Sequence, residues 1–217
     1  MARPLSRKER EKIQRRNEII DAAEKRFFQK GYENVSMDEI AQDLELSKPT
    51  LYLYFENKDA LFLEVTVRGM TLLKDEFEAA VAHEKTGKAK TMAFIHAFLN
   101  YGRKHPDFYN LLMETRTSIK HKLKNLKLEG ARRFDELSLA TMTLLRDSIT
   151  LGVKDGTLRQ NLEPLQTVVF IITACEAVLQ RTPELEYLVR NNISLEQYLE
   201  NSVEVIMRGI AAKEERN

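Results

Sequence analysis

The stretch SKPTLYLYF, residues 47–55, holds the densest group of side chains that could bind a partner. Lys48 carries three N–H donors, and Tyr52 and Tyr54 carry phenol hydroxyls. No Asp or Glu follows in this part of the chain until Glu56. Donors that stand together without a carboxylate favour contact with an anionic partner.

On a helix these residues divide into two faces. At about 100° per residue, Leu51 and Phe55 lie about 40° apart and can face a core together. The other face then carries small or apolar side chains between two tyrosines: Pro49, Thr50, Tyr52, Leu53 and Tyr54. A DNA major groove accommodates such a face, because hydroxyls can reach the phosphates of both walls and methyl groups can meet thymine. The alternative is that Tyr52, Leu53 and Tyr54 pack into a larger core.

The elements that position this stretch are helices. Apolar residues recur at helical spacing in nearly every segment, and no segment alternates as a strand would. Ser36 with Glu39 and Ser194 with Gln197 form capping-box patterns, and Gly31 supplies a C-terminal stop. The sequence predicts an all-α protein of about nine helices, at about 7–30, 37–44, 48–55, 57–84, 90–104, 106–118, 121–154, 161–182 and 194–212.

Two helices of about eight residues flank the short turn ELS, which is the spacing of a helix-turn-helix. The ordered pattern GYENVSMDEIAQDLELSKPTLYLYFENKDAL, residues 31–61, resembles the DNA-binding segment of the TetR family of bacterial transcriptional regulators. The resemblance covers about residues 17–67. It implies a helix-turn-helix DNA-binding domain with a basic arm at 1–60, and a helical ligand-binding and dimerisation domain at 61–217.

The resemblance also implies roles for particular residues. Those expected to contact the DNA backbone are Ser36, Lys48, Tyr52, Tyr54 and Lys58. Those expected to face bases are Lys48, Pro49, Thr50 and Leu53. Asp38 and Glu39 depart from the pattern, because some relatives offer a base on that helix.

Charge is distributed unevenly although the net charge is only +1. Residues 1–16 contain seven bases and two acids, whereas residues 17–60 contain five bases and ten acids. The basic arm is therefore expected to supply long-range attraction to DNA. A second basic block at 120–133 contains six bases and one acid. It could bind an anionic inducer or DNA, or it could be a solvated helix face.

Beyond about residue 67 the resemblance gives architecture rather than residues. The helix that contains LQTVVFIITACEAVLQ is apolar almost all round, and the last helix repeats Leu195, Leu199, Val203, Ile206 and Ile210. In relatives such helices form a homodimer, which would read a palindromic operator. The alternative is that both helices complete the monomer's own core.

A regulator of this family resembles a repressor that a small molecule releases from DNA. We expect a largely apolar effector, with pocket candidates among the aromatic side chains of the middle helices: Phe98, Tyr101, Phe108 and Phe134. For each of them, ordinary core packing is the competing interpretation.

The sequence shows no catalytic machinery. The four histidines have no metal-ligand spacing, and no phosphate-binding loop or nucleophile elbow is present. We therefore predict a protein that is not an enzyme and needs no cofactor or metal. The lone Cys175, the lack of an export signal and the absence of a long apolar run favour the cytoplasm and no membrane. A DNA-organising dimer without a small-molecule switch and a helical protein-interaction scaffold remain as alternatives.

Overall fold

A computed structural model describes residues 3–115, 129–180 and 182–212. The described residues form ten α-helices and one isolated β-bridge, between Leu158 and Ala211, so the all-α prediction is confirmed. The helices are α1 (Arg7–Lys30), α2 (Met37–Asp43), α3 (Lys48–Tyr52), α4 (Lys58–Ala82), α5 (Gly87–Lys104), α6 (Pro106–Glu114), α7 (Glu129–Lys154), α8 (Pro164–Leu179), α9 (Leu185–Arg190) and α10 (Leu195–Ile210). No helix within the described ranges is long and apolar enough to cross a membrane.

The chain divides into two compact units. The first comprises the described parts of residues 1–70 and 107–136, and the second those of 71–106 and 137–217. The first unit therefore contains the predicted helix-turn-helix together with α6 and the beginning of α7. The division into functional domains at residue 60 stays a proposal.

Local capping signals set the ends of α1 and α2. Ser6 and Glu9 form a capping box before α1, and Ser36 and Glu39 form one before α2. Gly31 ends α1 with φ 73° and ψ 163°, a conformation that is open almost only to glycine. Both helices lie where the sequence predicts them, within one residue.

Regular helix in α3 ends at Tyr52, three residues before the predicted end. The amides of Tyr54 and Phe55 still donate to the Leu51 carbonyl, at 3.0 and 3.1 Å, so the chain keeps a helical turn beyond Tyr52. The Oδ1 atom of Asn57 then accepts from the Ala60 amide at 2.8 Å and caps α4, as the sequence predicts. Leu51 and Phe55 consequently face the core together.

Aromatic rings form the centre of the first unit. Phe62 of α4 makes edge-to-face contacts with Phe27, at a centroid distance of 5.2 Å, and with Tyr32, at 4.7 Å. Residues of α1 to α4 surround these rings, including Ile19, Ala23, Ile40, Leu51, Phe55 and Leu61. Since Leu51 and Phe55 belong to this core, the position of α3 is fixed by packing rather than by its own short length.

The second unit contains the end of α4 from Thr71, most of α7, and α5, α8, α9 and α10. α5 begins at Gly87 rather than at the predicted 90, because Thr86 caps it and Asp155 accepts from the Gly87 amide at 2.8 Å. The helix α9 was not predicted. It has only six residues, which are too few to show helical periodicity in the sequence, and none of them is fully buried.

The two helices predicted to form the dimer bury different amounts of their apolar surface. In α10 most of the predicted apolar stripe packs within the second unit, because Leu199, Val203, Ile206 and Ile210 are all buried there. For these four residues the core interpretation is correct. In α8 one face is buried through Val168, Ile171 and Cys175, while the other is exposed through Leu165, Val169 and Phe170.

Candidate nucleic-acid interface

The side chains of α3 divide between core and solvent as the helical wheel predicts. Leu51 is fully buried and Phe55 is 3% exposed, whereas Leu53 is 80% exposed and Tyr52 is 42% exposed. Lys48 and Pro49 are also exposed. Leu53 is therefore exposed enough to contact a partner, and its expected contact with a base stays a prediction. Tyr54 differs from the expectation, since it is half-buried and packs against the core of the first unit.

Hydroxyl groups of the helix caps are already engaged. The Thr50 and Ser47 hydroxyls lie 2.7 Å apart and form a hydrogen bond, so Thr50 is held at the cap through its hydroxyl. The Ser36 hydroxyl accepts from the Glu39 amide at 3.2 Å and donates to the Glu39 carboxylate at 3.0 Å. A contact of Ser36 with phosphate stays a prediction, and within the protein its hydroxyl serves to cap α2.

Lys58 ties the start of α4 to the turn after α1. Its Nζ atom donates to the Tyr32 carbonyl at 2.8 Å and lies 4.3 Å from the centroid of the Tyr32 ring. The Tyr32 hydroxyl donates to the Asp59 carboxylate, and burial followed by this bond raises the pKa of Tyr32. A phosphate contact of Lys58 also stays a prediction. The geometry gives the lysine a structural role that its sequence position does not reveal.

The carboxylates of α2 have basic partners. Glu39 accepts from Lys30 at 2.6 Å, and Asp43 accepts from Arg26 at 2.6 Å. The bond with Lys30, with those from Ser36, lowers the pKa of Glu39 to about 2. Pairing of this kind reduces the repulsion between these acids and a duplex. Arg26 and Lys30 are already among the five bases of residues 17–60, so the excess of acids in that segment is unchanged.

A third acid, Asp38, pairs with Lys48 across the helix-turn-helix. Lys48 Nζ lies 2.8 Å from Asp38 Oδ1 and 3.0 Å from Oδ2. The bond with Asp38 raises the pKa of Lys48. The sequence identified both residues but gave no reason to join them, because they belong to separate helices and are ten positions apart.

A buried carboxylate links three helices of the first unit. Glu64 of α4 is 9% exposed and pairs with Arg16 of α1 at 2.9 Å and with Arg133 of α7 at 3.1 Å. The Arg16 guanidinium also lies 4.9 Å from the centre of the Phe55 ring. Arg16 was predicted only as part of the basic arm, and Glu64 was not singled out at all. Their pairing joins residues 48 positions apart, which no local pattern reveals.

Of the basic block at 120–133, only residues 129–133 belong to the described part of the chain. Lys120, Lys122, Lys124 and Lys127 lie outside the described residues. Of the two remaining bases, Arg132 pairs with Glu129 and Glu136 on α7, and Arg133 pairs with Glu64.

The four predicted effector-binding aromatics fall in two units. Phe98 and Tyr101 belong to the second unit, where Phe98 stacks on Phe77 at a centroid distance of 6.0 Å and Tyr101 is 1% exposed. Burial raises the pKa of Tyr101. Phe108 and Phe134 belong to the first unit, and Phe108 packs edge-to-face on Phe28 at 5.0 Å. These contacts are core contacts, and a ligand-binding role for any of the four stays a proposal.

The helix-turn-helix geometry and the all-helical fold define a DNA-binding protein of the transcriptional-regulator class. Residues 19–65 match the family described as bacterial regulatory proteins, tetR family. The HTH-type transcriptional activator FasR of Mycolicibacterium smegmatis is 31% identical over 101 residues, which cover 46% of this chain and 46% of FasR. The fatty acid metabolism regulator protein of Bacillus subtilis is 25% identical over 148 residues, which cover 67% of this chain and 72% of that protein.

The likeness to solved structures covers most of the chain. The transcriptional regulator FadR from Bacillus subtilis, solved in complex with stearoyl-CoA, superposes with a TM-score of 0.65 at 21% identity and covers 89% of this chain and 98% of its own. Residues 19–65 belong to the tetR family of bacterial regulatory proteins. The chain spans about half the length of curated relatives such as FasR. These relatives are transcriptional regulators rather than enzymes.

Proposed function

We propose that the protein is a homodimeric repressor that binds a palindromic operator in the bacterial cytoplasm and leaves it when a small, largely apolar effector binds. The observation that carries the DNA-binding role is the division of α3, with Leu51 buried and Leu53 exposed. A core helix would bury both faces. A helix that presents Leu53, Tyr52 and Lys48 to solvent has the donors and methyl groups that a major groove accepts.

The exposed face of α8 supports the homodimer. Leu165, Val169 and Phe170 are each more than half exposed, and the first two are one helical turn apart. α10 contributes less than the sequence predicts, since only Leu195 and Val205 are exposed apolar side chains on it. A two-fold axis beside α8 would bury its apolar face against the same face of a second copy. Two copies would then carry two reading helices, which is why the operator should be a palindrome.

For the effector we propose a long-chain acyl thioester. The B. subtilis relative is named for fatty acid metabolism, and the FadR structure contains stearoyl-CoA. A chain of this kind is apolar over most of its length, as expected for a pocket between helices, and its head carries phosphates. The second candidate is a DNA-organising dimer without a small-molecule switch.

Selection of bound duplexes from random DNA tests the operator. We expect one palindromic sequence with half-sites about one helical turn apart, from 10 to 10.5 base pairs or a multiple. A Leu53→Glu variant is the matched control, because it places a carboxylate at the reading face without touching the core. Recovery of no preferred sequence by the wild-type protein would refute the regulator proposal.

Operator release tests the effector. We expect stearoyl-CoA to reduce operator binding in a fluorescence anisotropy titration, while coenzyme A alone leaves it unchanged. Sodium dodecyl sulfate below its micellar concentration controls for non-specific action by an amphiphile. An operator complex insensitive to acyl thioesters would refute this effector class, and insensitivity to every metabolite tried would favour the DNA-organising dimer.

A further inference from the structure

The Asp38–Lys48 pair connects the two helices of the helix-turn-helix. Lys48 is the first residue of α3, and Asp38 lies in the first turn of α2. Their side chains are 58% and 63% exposed, so both remain within reach of a duplex. Both carboxylate oxygens lie within 3.0 Å of the Lys48 ammonium.

This arrangement changes what Lys48 can bind. A free lysine beside DNA binds any phosphate, and each phosphate neutralised adds to affinity for every sequence alike. A phosphate that approaches Lys48 here also approaches the Asp38 carboxylate and is repelled by it. The O6 and N7 atoms of guanine carry no net charge and can accept from Lys48 without that repulsion.

Asp38 can also act on the base pair directly. A carboxylate accepts from the N4 amino group of cytosine in the major groove. Lysine and aspartate held side by side thus present a donor and an acceptor, which complement the two edges of one G·C pair. Lys48 alone would not distinguish a G·C pair from a phosphate in this way.

We propose that Asp38 is a specificity-determining residue, which withholds Lys48 from phosphates and leaves it available to a G·C pair. The proposal rests on the proposed DNA-binding function. Asp38, an acid that departs from the family pattern, would then belong to the surface that contacts the base pair. The same pairing explains how α2 can carry an acid close to DNA.

The test compares Asp38→Asn with Glu45→Gln. Glu45 is exposed in the turn between α2 and α3, and no ion pair of its carboxylate is found among the described residues. Both changes remove one negative charge from the same motif, but only Asp38→Asn releases Lys48. Affinity is measured by anisotropy on the selected operator and on a scrambled duplex, from 50 to 200 mM salt.

We expect Asp38→Asn to bind the scrambled duplex several-fold more tightly. The slope of log K against log salt concentration should become more negative by about 0.9, the value of one further phosphate contact. Operator affinity should rise less, so the ratio between the two duplexes falls. Glu45→Gln should change the two duplexes nearly equally. In a Lys48→Met background, Asp38→Asn should change binding to the scrambled duplex no more than Glu45→Gln does.

Equal effects of Asp38→Asn and Glu45→Gln would overturn the proposal. Tighter binding of the scrambled duplex by Asp38→Asn that persists without Lys48 would overturn it too. Circular dichroism melting checks that both variants fold, which their exposed positions favour. A wild-type protein without a preferred sequence would instead refute the proposed function. A preferred sequence combined with equal effects of the two variants would refute only the role of Asp38.

Discussion

Gly87 of α5 packs directly against the backbone of α7 at Gly152 in the second unit. A Cβ atom added at Gly87 would lie 1.9 Å from the Gly152 nitrogen and 2.2 Å from its Cα. Both atoms belong to backbone, so no rotamer change can relieve the overlap. Overpacking costs about 1 to 3 kcal/mol, and a contact with rigid backbone belongs at the upper end. The helix preference of alanine over glycine, about 1 kcal/mol, offsets only part of this.

We therefore expect Gly87→Ala to destabilise the protein by about 2 kcal/mol, which lowers Tm by about 4 to 8 °C for a chain of this size. Thermal unfolding followed by circular dichroism measures the change. The matched control is Gly209→Ala in α10, where no heavy atom lies within 4 Å of the added Cβ. Gly209→Ala should raise the free energy of unfolding by about 0.5 to 1 kcal/mol. A Gly87→Ala protein that melts at or above the wild-type temperature would refute the close crossing of α5 and α7.

Three further outcomes are expected. Leu53→Ala should change the free energy of unfolding by less than about 0.5 kcal/mol and weaken operator binding by about 1 kcal/mol, roughly fivefold. Leu51→Ala, at a buried position, should lower the free energy of unfolding by about 2 to 5 kcal/mol. Equal destabilisation by the two would contradict the orientation of α3. The hydrogen bonds with Lys30 and Ser36 lower the pKa of Glu39 from 4.5 to about 2. These bonds therefore stabilise the fold fully when the pH is above 4.5, and the stabilisation is lost as the pH falls towards 2. The difference in Tm between wild type and Glu39→Gln should thus shrink on acidification, and a difference that stays constant from pH 6 to pH 2 would oppose it. Phe170→Glu should convert a dimer to monomers in sedimentation velocity, because an unpaired carboxylate would be buried in the interface. Leu139→Glu, on an exposed site of α7, should leave the dimer intact. A Phe170→Glu protein that still sediments as a dimer would show that α8 does not form the interface.

The sequence by itself determined the helices whose ends depend on neighbouring residues. Capping boxes at Ser36 and Ser194 and the positive φ of Gly31 lie where the pattern predicts. Such signals are readable because both partners of each bond lie within three or four positions. The same local periodicity placed Leu51 and Phe55 on one face of α3 and left Leu53 on the other. The short helix α9 escaped prediction because its six residues are too few to show helical periodicity.

The tertiary structure decided the partners of the charged residues. Lys48 pairs with Asp38, Lys58 with the Tyr32 carbonyl, and Glu64 with two arginines. Each of these contacts joins different helices or a helix and a distant turn, so it depends on how the helices pack. Residue type shows that a charge is present, but only packing shows whether it is free to meet DNA.

Packing also decided which apolar faces remain open. The sequence makes α8 apolar almost all round and gives α10 one apolar stripe, but only the structure shows that most of the α10 stripe is buried and that one face of α8 is exposed. Periodicity determines that a helix has an apolar face. Whether a neighbouring helix or a second chain covers it depends on the positions of elements far apart in sequence.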